Sequence, residues 1–216
     1  MFKLNLPCKI TICRMLLVPV FCALYLIPVP DDAKFNYFKF AAAMVFILAA
    51  LTDMEGQIAR KRNQVTDLGK LLDTSADKLL ITGGLLLLIT DITANSTVFA
   101  SGALMPAWMA VSICLMIIAR DFVVMALRSI AASKGTVIAA DKWGKWKQLI
   151  QDISIPMYMI FASGILVNTG AFNQVYEIIC ISVLWLGAVL SVYSGVNYVM
   201  KNRHVFAEKP KTETKE

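Results

Sequence analysis

The sequence predicts an all-α membrane protein, a polytopic bundle of about six transmembrane helices with both termini cytoplasmic. Three observations predict it. The 216-residue chain is 58% hydrophobic and only 17% charged, with a mean hydropathy of +0.66, whereas soluble domains are about half apolar and a quarter charged. Apolar runs long enough to cross about 30 Å of hydrocarbon recur along the chain. The loops between them alternate between basic and acidic.

The first run covers residues 10–29. The preceding MFKLNLPCKI lacks the form of a cleaved signal, because basic residues continue to Arg14 and no small-residue cleavage site follows. Residues 1–6 read as a short interfacial segment. The second run, 36–55, ends in a charged island, and the third, 71–91, begins inside it. The fourth covers 103–125. KWGKWK, residues 142–147, mixes lysine with interfacial tryptophan and leads into the fifth run at 149–167. The sixth covers 178–200. Residues 1–200 form one membrane domain, and 201–216 are a polar cytoplasmic tail.

One set of loops carries Lys3, Lys9, Arg14, Arg60, Lys61, Arg62, Lys70, Arg128, Lys134, Lys142, Lys145, Lys147, Lys201, Arg203, Lys209 and Lys211. The other carries Asp31, Asp32, Asp91 and Glu177, with only Lys34 and Lys39 as cations. The positive-inside rule puts the basic loops in the cytoplasm. The net charge of +6 belongs to that face. It is explained by topology and attraction to anionic membrane lipids, and no soluble domain exists to bind nucleic acid. The five cysteines show no CxxC or zinc spacing and read as small buried thiols. His204 is the only histidine, which excludes a histidine-based triad or a multi-histidine metal site.

The charged island, TDMEGQIARKRNQVTDLGKLLDTSADK at residues 52–78, holds Asp53, Glu55, Asp67, Asp73 and Asp77. Asp67 reads as a solvated helix cap. A charge facing lipid costs roughly 2.5–3.5 kcal/mol on the insertion scale, so Asp73 and Asp77, in the first turns of the third run, should face the bundle interior. Gly69, Asp73 and Asp77 recur every four residues and share one helical stripe. Two carboxylates on one stripe repel unless a cation lies between them. With Asp53 and Glu55 at the end of the second run, they would make an oxygen-lined site for Mg²⁺ or Mn²⁺.

The island resembles the signature of the CDP-alcohol phosphatidyltransferases, which reads Asp, two residues, Asp-Gly, two residues, Ala-Arg, eight residues, Gly, three residues, Asp, three residues, Asp. The match holds from Gly56 through Ala59-Arg60, Gly69 and Asp73 to Asp77. NLPCKITICR near the start, and residues 119–148, are similar to corresponding segments of bacterial members that use glycerol 3-phosphate. The resemblance covers the chain to about residue 200. It departs from the signature at one point. The second acid falls on Glu55 and the first on Thr52, so Asp53 is one residue late. Asp53 and Glu55 lie about 200° apart on an ideal helix. A backbone break at Gly56 that preserves function, a weakened site, and a sequence short by one residue each account for this.

The resemblance implies transfer of a phosphatidyl group from CDP-diacylglycerol to glycerol 3-phosphate with release of CMP, at the cytoplasmic face of a bacterial inner membrane. It assigns Asp53, Glu55, Asp73 and Asp77 to metal, Asp77 also to proton abstraction, and Gly56, Arg60 and Gly69 to the nucleotide. By analogy alone it implies a homodimer. A glycerol 3-phosphate acceptor brings a second anion, for which Arg120, Arg128 and Lys142 are candidates, with Asp121 orienting or neutralising Arg120. Lys147 reads instead as an interface anchor. The alternatives are a CMP-forming cardiolipin synthase or other alcohol-phosphate transferase, an inactive paralogue, and a transporter or channel. The last leaves the spaced Ala-Arg and Gly elements unexplained.

Overall fold

A computed structural model describes residues 6–29, 35–60, 67–94, 106–133, 142–165 and 170–202. Within these, side chains near several helix ends, those of residues 53–60, 67–71 and 142 among them, lie outside the described set. Among the described residues the chain is entirely helical: α1 (Leu6–Leu26), α2 (Tyr37–Arg60), α3 (Asp67–Ala94), α4 (Ala107–Ser133), α5 (Lys142–Ala162) and α6 (Gly170–Lys201). Each apolar run predicted from the sequence overlaps one of these helices.

Cross-helix pairs fix the directions. Arg14 meets Thr52 while Tyr25 meets Lys39, so α1 and α2 are antiparallel. Asp77 meets Gln148 and Asp91 meets Tyr158, so α3 and α5 run together. Arg120 meets Ser194 and Arg128 meets Tyr198, so α4 and α6 also run together. The result is an up-and-down bundle. One end gathers Arg14, Thr52, Asp73, Asp77, Asp121 and Gln148; the other gathers Tyr25, Lys39, Asp91 and Tyr158.

Between the two ends lies an apolar core that includes Phe21, Phe46, Leu85, Ile117 and Ile155. Small residues let the helices approach closely, as in membrane bundles generally. Ala42, Ala43 and Ala49 of α2 are fully buried. A Cβ at Gly84 of α3 would stand 2.6 Å from Ile155 Cγ2 and 3.0 Å from Phe46 Cε2, so only glycine permits this junction of α2, α3 and α5. Leu48, Leu86, Leu115, Phe122 and Leu186 are exposed on the outer surface, the arrangement a lipid-facing bundle requires.

Among the described residues, three helices are long and apolar enough to cross a membrane, at Cys8–Leu26, Trp108–Ser133 and Gln174–Lys201. The apolar part of α2, Tyr37–Thr52, is shorter. α3 and α5 carry more charge, and of that charge Asp73, Asp77, Asp91 and Lys147 are paired inside the bundle, which is how ionisable groups persist at membrane depth. Lys39 and Asp91 form an ion pair, and Tyr158 OH donates to Asp91 Oδ2 at 3.3 Å. This closes the far end of the bundle.

Candidate active site

α3 carries the two acids at the heart of the site. Asp73 and Asp77 stand one turn apart, and α3 is continuous through both. Asp73 is buried, and its Oδ1 lies 3.3 Å from Arg14 Nη1 of α1. The same guanidinium donates through Nε to Thr52 Oγ1 of α2 at 3.4 Å, so Arg14 ties three helices together at the acids. Arg14 is 1% exposed. By charge pattern it groups with the basic loops, yet it falls about one turn inside the first apolar run. A cation there is a signal of function that the sequence itself carried.

Asp77 is held from two sides. Gln148 Nε2 of α5 donates to Asp77 Oδ1 at 2.6 Å, and Lys78 Nζ lies 3.3 Å from Asp77 Oδ2. Lys78 is also 3.3 Å from Asp121 Oδ2 on α4, which links the acids of α3 to a second charged group. Asp121 Oδ1 accepts from Arg120 Nη1 at 2.9 Å and pairs with Lys147 Nζ. Three cations, Lys78, Arg120 and Lys147, therefore share the two carboxylates Asp77 and Asp121. Among the described residues, Arg120 Nε is buried with no acceptor.

Lys147 is not the solvent-side anchor the sequence suggested: it is 2% exposed and reaches inward to Asp121. Its neighbours Trp143 and Trp146 are the outward-facing residues of that turn. Asp121 meets Arg120 directly, a contact that serves either orienting or neutralising it. Arg128 does not join the cluster. It lies two turns further along α4, about 12 Å of helix, where Nε donates to Tyr198 OH at 3.2 Å and the guanidinium lies over the Tyr198 ring. The side chain of Lys142 lies outside the described residues.

So do the side chains of Asp53, Glu55, Gly56, Arg60 and Gly69, although α2 and α3 include their backbones. A backbone break at Gly56, one of the three accounts of the late Asp53, is absent, since α2 is a continuous α-helix through Arg60. A continuous helix places Glu55 within about 60° of Thr52, which meets Arg14, and sets Asp53 about 100° from Thr52. Among the described residues no three His, Cys, Asp or Glu side chains gather as a metal-binding group. The described donors near Arg14 and Gln148 are the carboxylates of Asp73 and Asp77 and the hydroxyl of Thr52. These are hard oxygen donors of the kind Mg²⁺ and Mn²⁺ take, and they fit such an ion.

A groove of ≈640 Å³ opens between α2 and α5, and its lining includes Gln148, the hydrogen-bond partner of Asp77. Lys145, Gln148 and Asp152 supply its polar lining, and Leu51, Ile153, Pro156 and Ile160 are among its apolar residues.

An interior diad of acids on α3, flanked by buried cations and an apolar groove, is the arrangement of an enzyme that handles an anionic lipid at a membrane surface. The chain belongs to the CDP-alcohol phosphatidyltransferase family, whose profile matches residues 4–193. It is 35% identical over 205 residues to the CDP-diacylglycerol–glycerol-3-phosphate 3-phosphatidyltransferase of Bacillus subtilis (strain 168), covering 92% of this chain and 95% of that protein. The Haemophilus influenzae protein of the same name is 30% identical over 200 residues, covering 91% of this chain and 92% of its own. The Rickettsia bellii protein of that name is 31% identical over 195 residues, covering 90% and 93%. Family membership and the three long apolar helices mark an integral membrane protein.

Proposed function

We propose that the protein transfers the phosphatidyl group of CDP-diacylglycerol to the hydroxyl of sn-glycerol 3-phosphate, releasing CMP and forming phosphatidylglycerophosphate. The observation that carries the acceptor assignment is the cation group around Asp121, joined to Asp77 through Lys78. A phosphomonoester offers charged oxygens to such guanidinium and ammonium donors, which an uncharged alcohol does not. The orphan Nε–H of Arg120 is a donor suited to one of its oxygens. The names of the similar proteins support the same acceptor.

The reaction forms one phosphorus–oxygen bond and breaks another. The acceptor hydroxyl oxygen attacks the phosphorus that bears diacylglycerol, and the bond from that phosphorus to the CMP oxygen breaks. The acceptor proton passes to Asp77, which Gln148 and Lys78 hold in place. The groove between α2 and α5 takes acyl chains of the lipid, so the diphosphate lies where Gln148 meets Asp77. Asp73 and Asp77, with Asp53 and Glu55 from α2, would hold Mg²⁺ or Mn²⁺, which supplies charge neutralisation at the diphosphate. Gly56, Arg60 and Gly69 are assigned to the nucleotide in this reading, and Arg128 and Lys142 to outer positive charge on the acceptor's approach. The basic residues of the loops at this end support a cytoplasmic orientation for it and for both termini, and in this reading the membrane is a bacterial inner membrane.

The test is CMP release by purified protein given CDP-diacylglycerol, Mg²⁺ or Mn²⁺, and single alcohols. Release dependent on glycerol 3-phosphate and abolished by chelation is expected. Release only with phosphatidylglycerol or an uncharged alcohol would refute the acceptor, and full turnover under exhaustive chelation would refute the metal site.

A further inference from the structure

Arg120 reaches the acid cluster only because α6 makes room for it. A Cβ at Gly195 would stand 2.6 Å from Arg120 Cγ, 3.5 Å from Nε and 3.6 Å from Cδ, so the arginine stem lies flat against the α6 backbone there. The residue before it, Ser194, is fully buried and accepts from Arg120 Nη2 at 2.7 Å. On the other side, a Cβ at Gly144 of α5 would lie 3.8 Å from Nη2 and 4.0 Å from Ser194 Oγ. The tip of Arg120 thus passes between two helices, with Nη2 held by Ser194 and Nη1 by Asp121. Small residues where membrane helices touch are ordinary. What faces Gly195 here is the near end of an arginine stem, and that end cannot swing aside without carrying the guanidinium with it.

An arginine carries about 2 kcal/mol of rotamer entropy, and a seat that fixes it in advance removes that cost from ligand binding. We propose that Ser194 and Gly195 are positioning residues for the acceptor: they seat the Arg120 guanidinium, leave its Nε–H uncommitted, and so set the affinity for glycerol 3-phosphate. This rests on the acceptor reading above.

The test is steady-state kinetics of the full chain in detergent, varying each substrate while the other is saturating. Wild type must first release CMP with glycerol 3-phosphate; its failure to do so would overturn the acceptor reading and the seat with it. Ser194→Ala should raise KM for glycerol 3-phosphate about tenfold, the effect of losing a hydrogen bond to a charged group. KM for CDP-diacylglycerol and kcat should stay within about twofold. Ser194→Thr keeps the hydroxyl and should restore the wild-type KM. Gly195→Ala should match or exceed the alanine effect at Ser194. The double variant Arg120→Ala with Ser194→Ala should be no worse than Arg120→Ala alone. The seat is overturned, with the acceptor reading intact, if Ser194→Ala leaves the acceptor KM unmoved, if Ser194→Thr fails to rescue it, or if the KM values of both substrates rise together. The Ser194 pair decides the matter alone if the glycine variant does not accumulate.

Discussion

Replacing Asp121 with alanine should destabilise the protein far more than removing the lysine it binds. Lys147 is 2% exposed, and Asp121 holds it together with Arg120 and Lys78. Without Asp121, a buried ammonium faces two other cations with no anion at its tip, and stranding a buried charge costs about 3–5 kcal/mol. Lys147→Met leaves Asp121 with two cationic partners, and the loss is nearer one ordinary charged hydrogen bond, about 1.5–3 kcal/mol at most. For chains of this length each kcal/mol shifts Tm by about 2–4 °C. Asp121→Ala should therefore lower Tm by about 10 °C and Lys147→Met by about half that or less. The double variant removes the stranded charge, so it should be more stable than Asp121→Ala alone. Tryptophan fluorescence of detergent-purified protein on heating measures all three. Equal losses in the two single variants, or a double variant that equals their sum, would refute the argument that Asp121 is the counter-charge of a buried group.

Asp77→Asn should lower kcat about 10²–10⁴-fold by removing the acceptor's proton sink, while the protein remains folded by circular dichroism; CMP release gives the rate. Gly84→Ala should cost about 1–3 kcal/mol, because its Cβ meets the body of Ile155, and heat denaturation checks it. Gly83→Ala, whose nearest neighbour is the ring tip of Phe21 at 3.2 Å, should cost less. Asp91→Asn removes the partner of Lys39 and Tyr158 at the far end, so it should lower Tm without moving either substrate's KM.

Much of the architecture was legible because it is written locally. Each apolar run is contiguous in sequence, and the four-residue spacing of Gly69, Asp73 and Asp77 survives as a stripe on any helix. The pairing of Arg120 with Asp121 was visible from adjacency. Of the accounts open for the late Asp53, a break at Gly56 is absent: α2 stays helical through Arg60, and helical hydrogen bonding there outlasts the glycine. Arg14 was misread although its position inside an apolar run distinguished it from the loop cations. Gln148, Ser194 and Gly195 carried no comparable signal, since a polar residue near a helix end looks alike whether it meets water or a carboxylate on another helix.

The sequence by itself determined a helical membrane chain, its spans, and the signature that places it in its family, because hydropathy, period and spacing are properties of one segment at a time. Only the tertiary structure decided that Lys147 turns inward and Arg128 does not join it, that Lys78 bridges Asp77 to Asp121, and that α6 seats Arg120. Those partners lie between 43 and 74 residues apart where Lys78 meets Asp121 and Arg120 meets Ser194. The physical reason is that a charge acquires its role from what surrounds it. At the end of a membrane helix, the same lysine is an anchor in water and an ion-pair partner in the bundle.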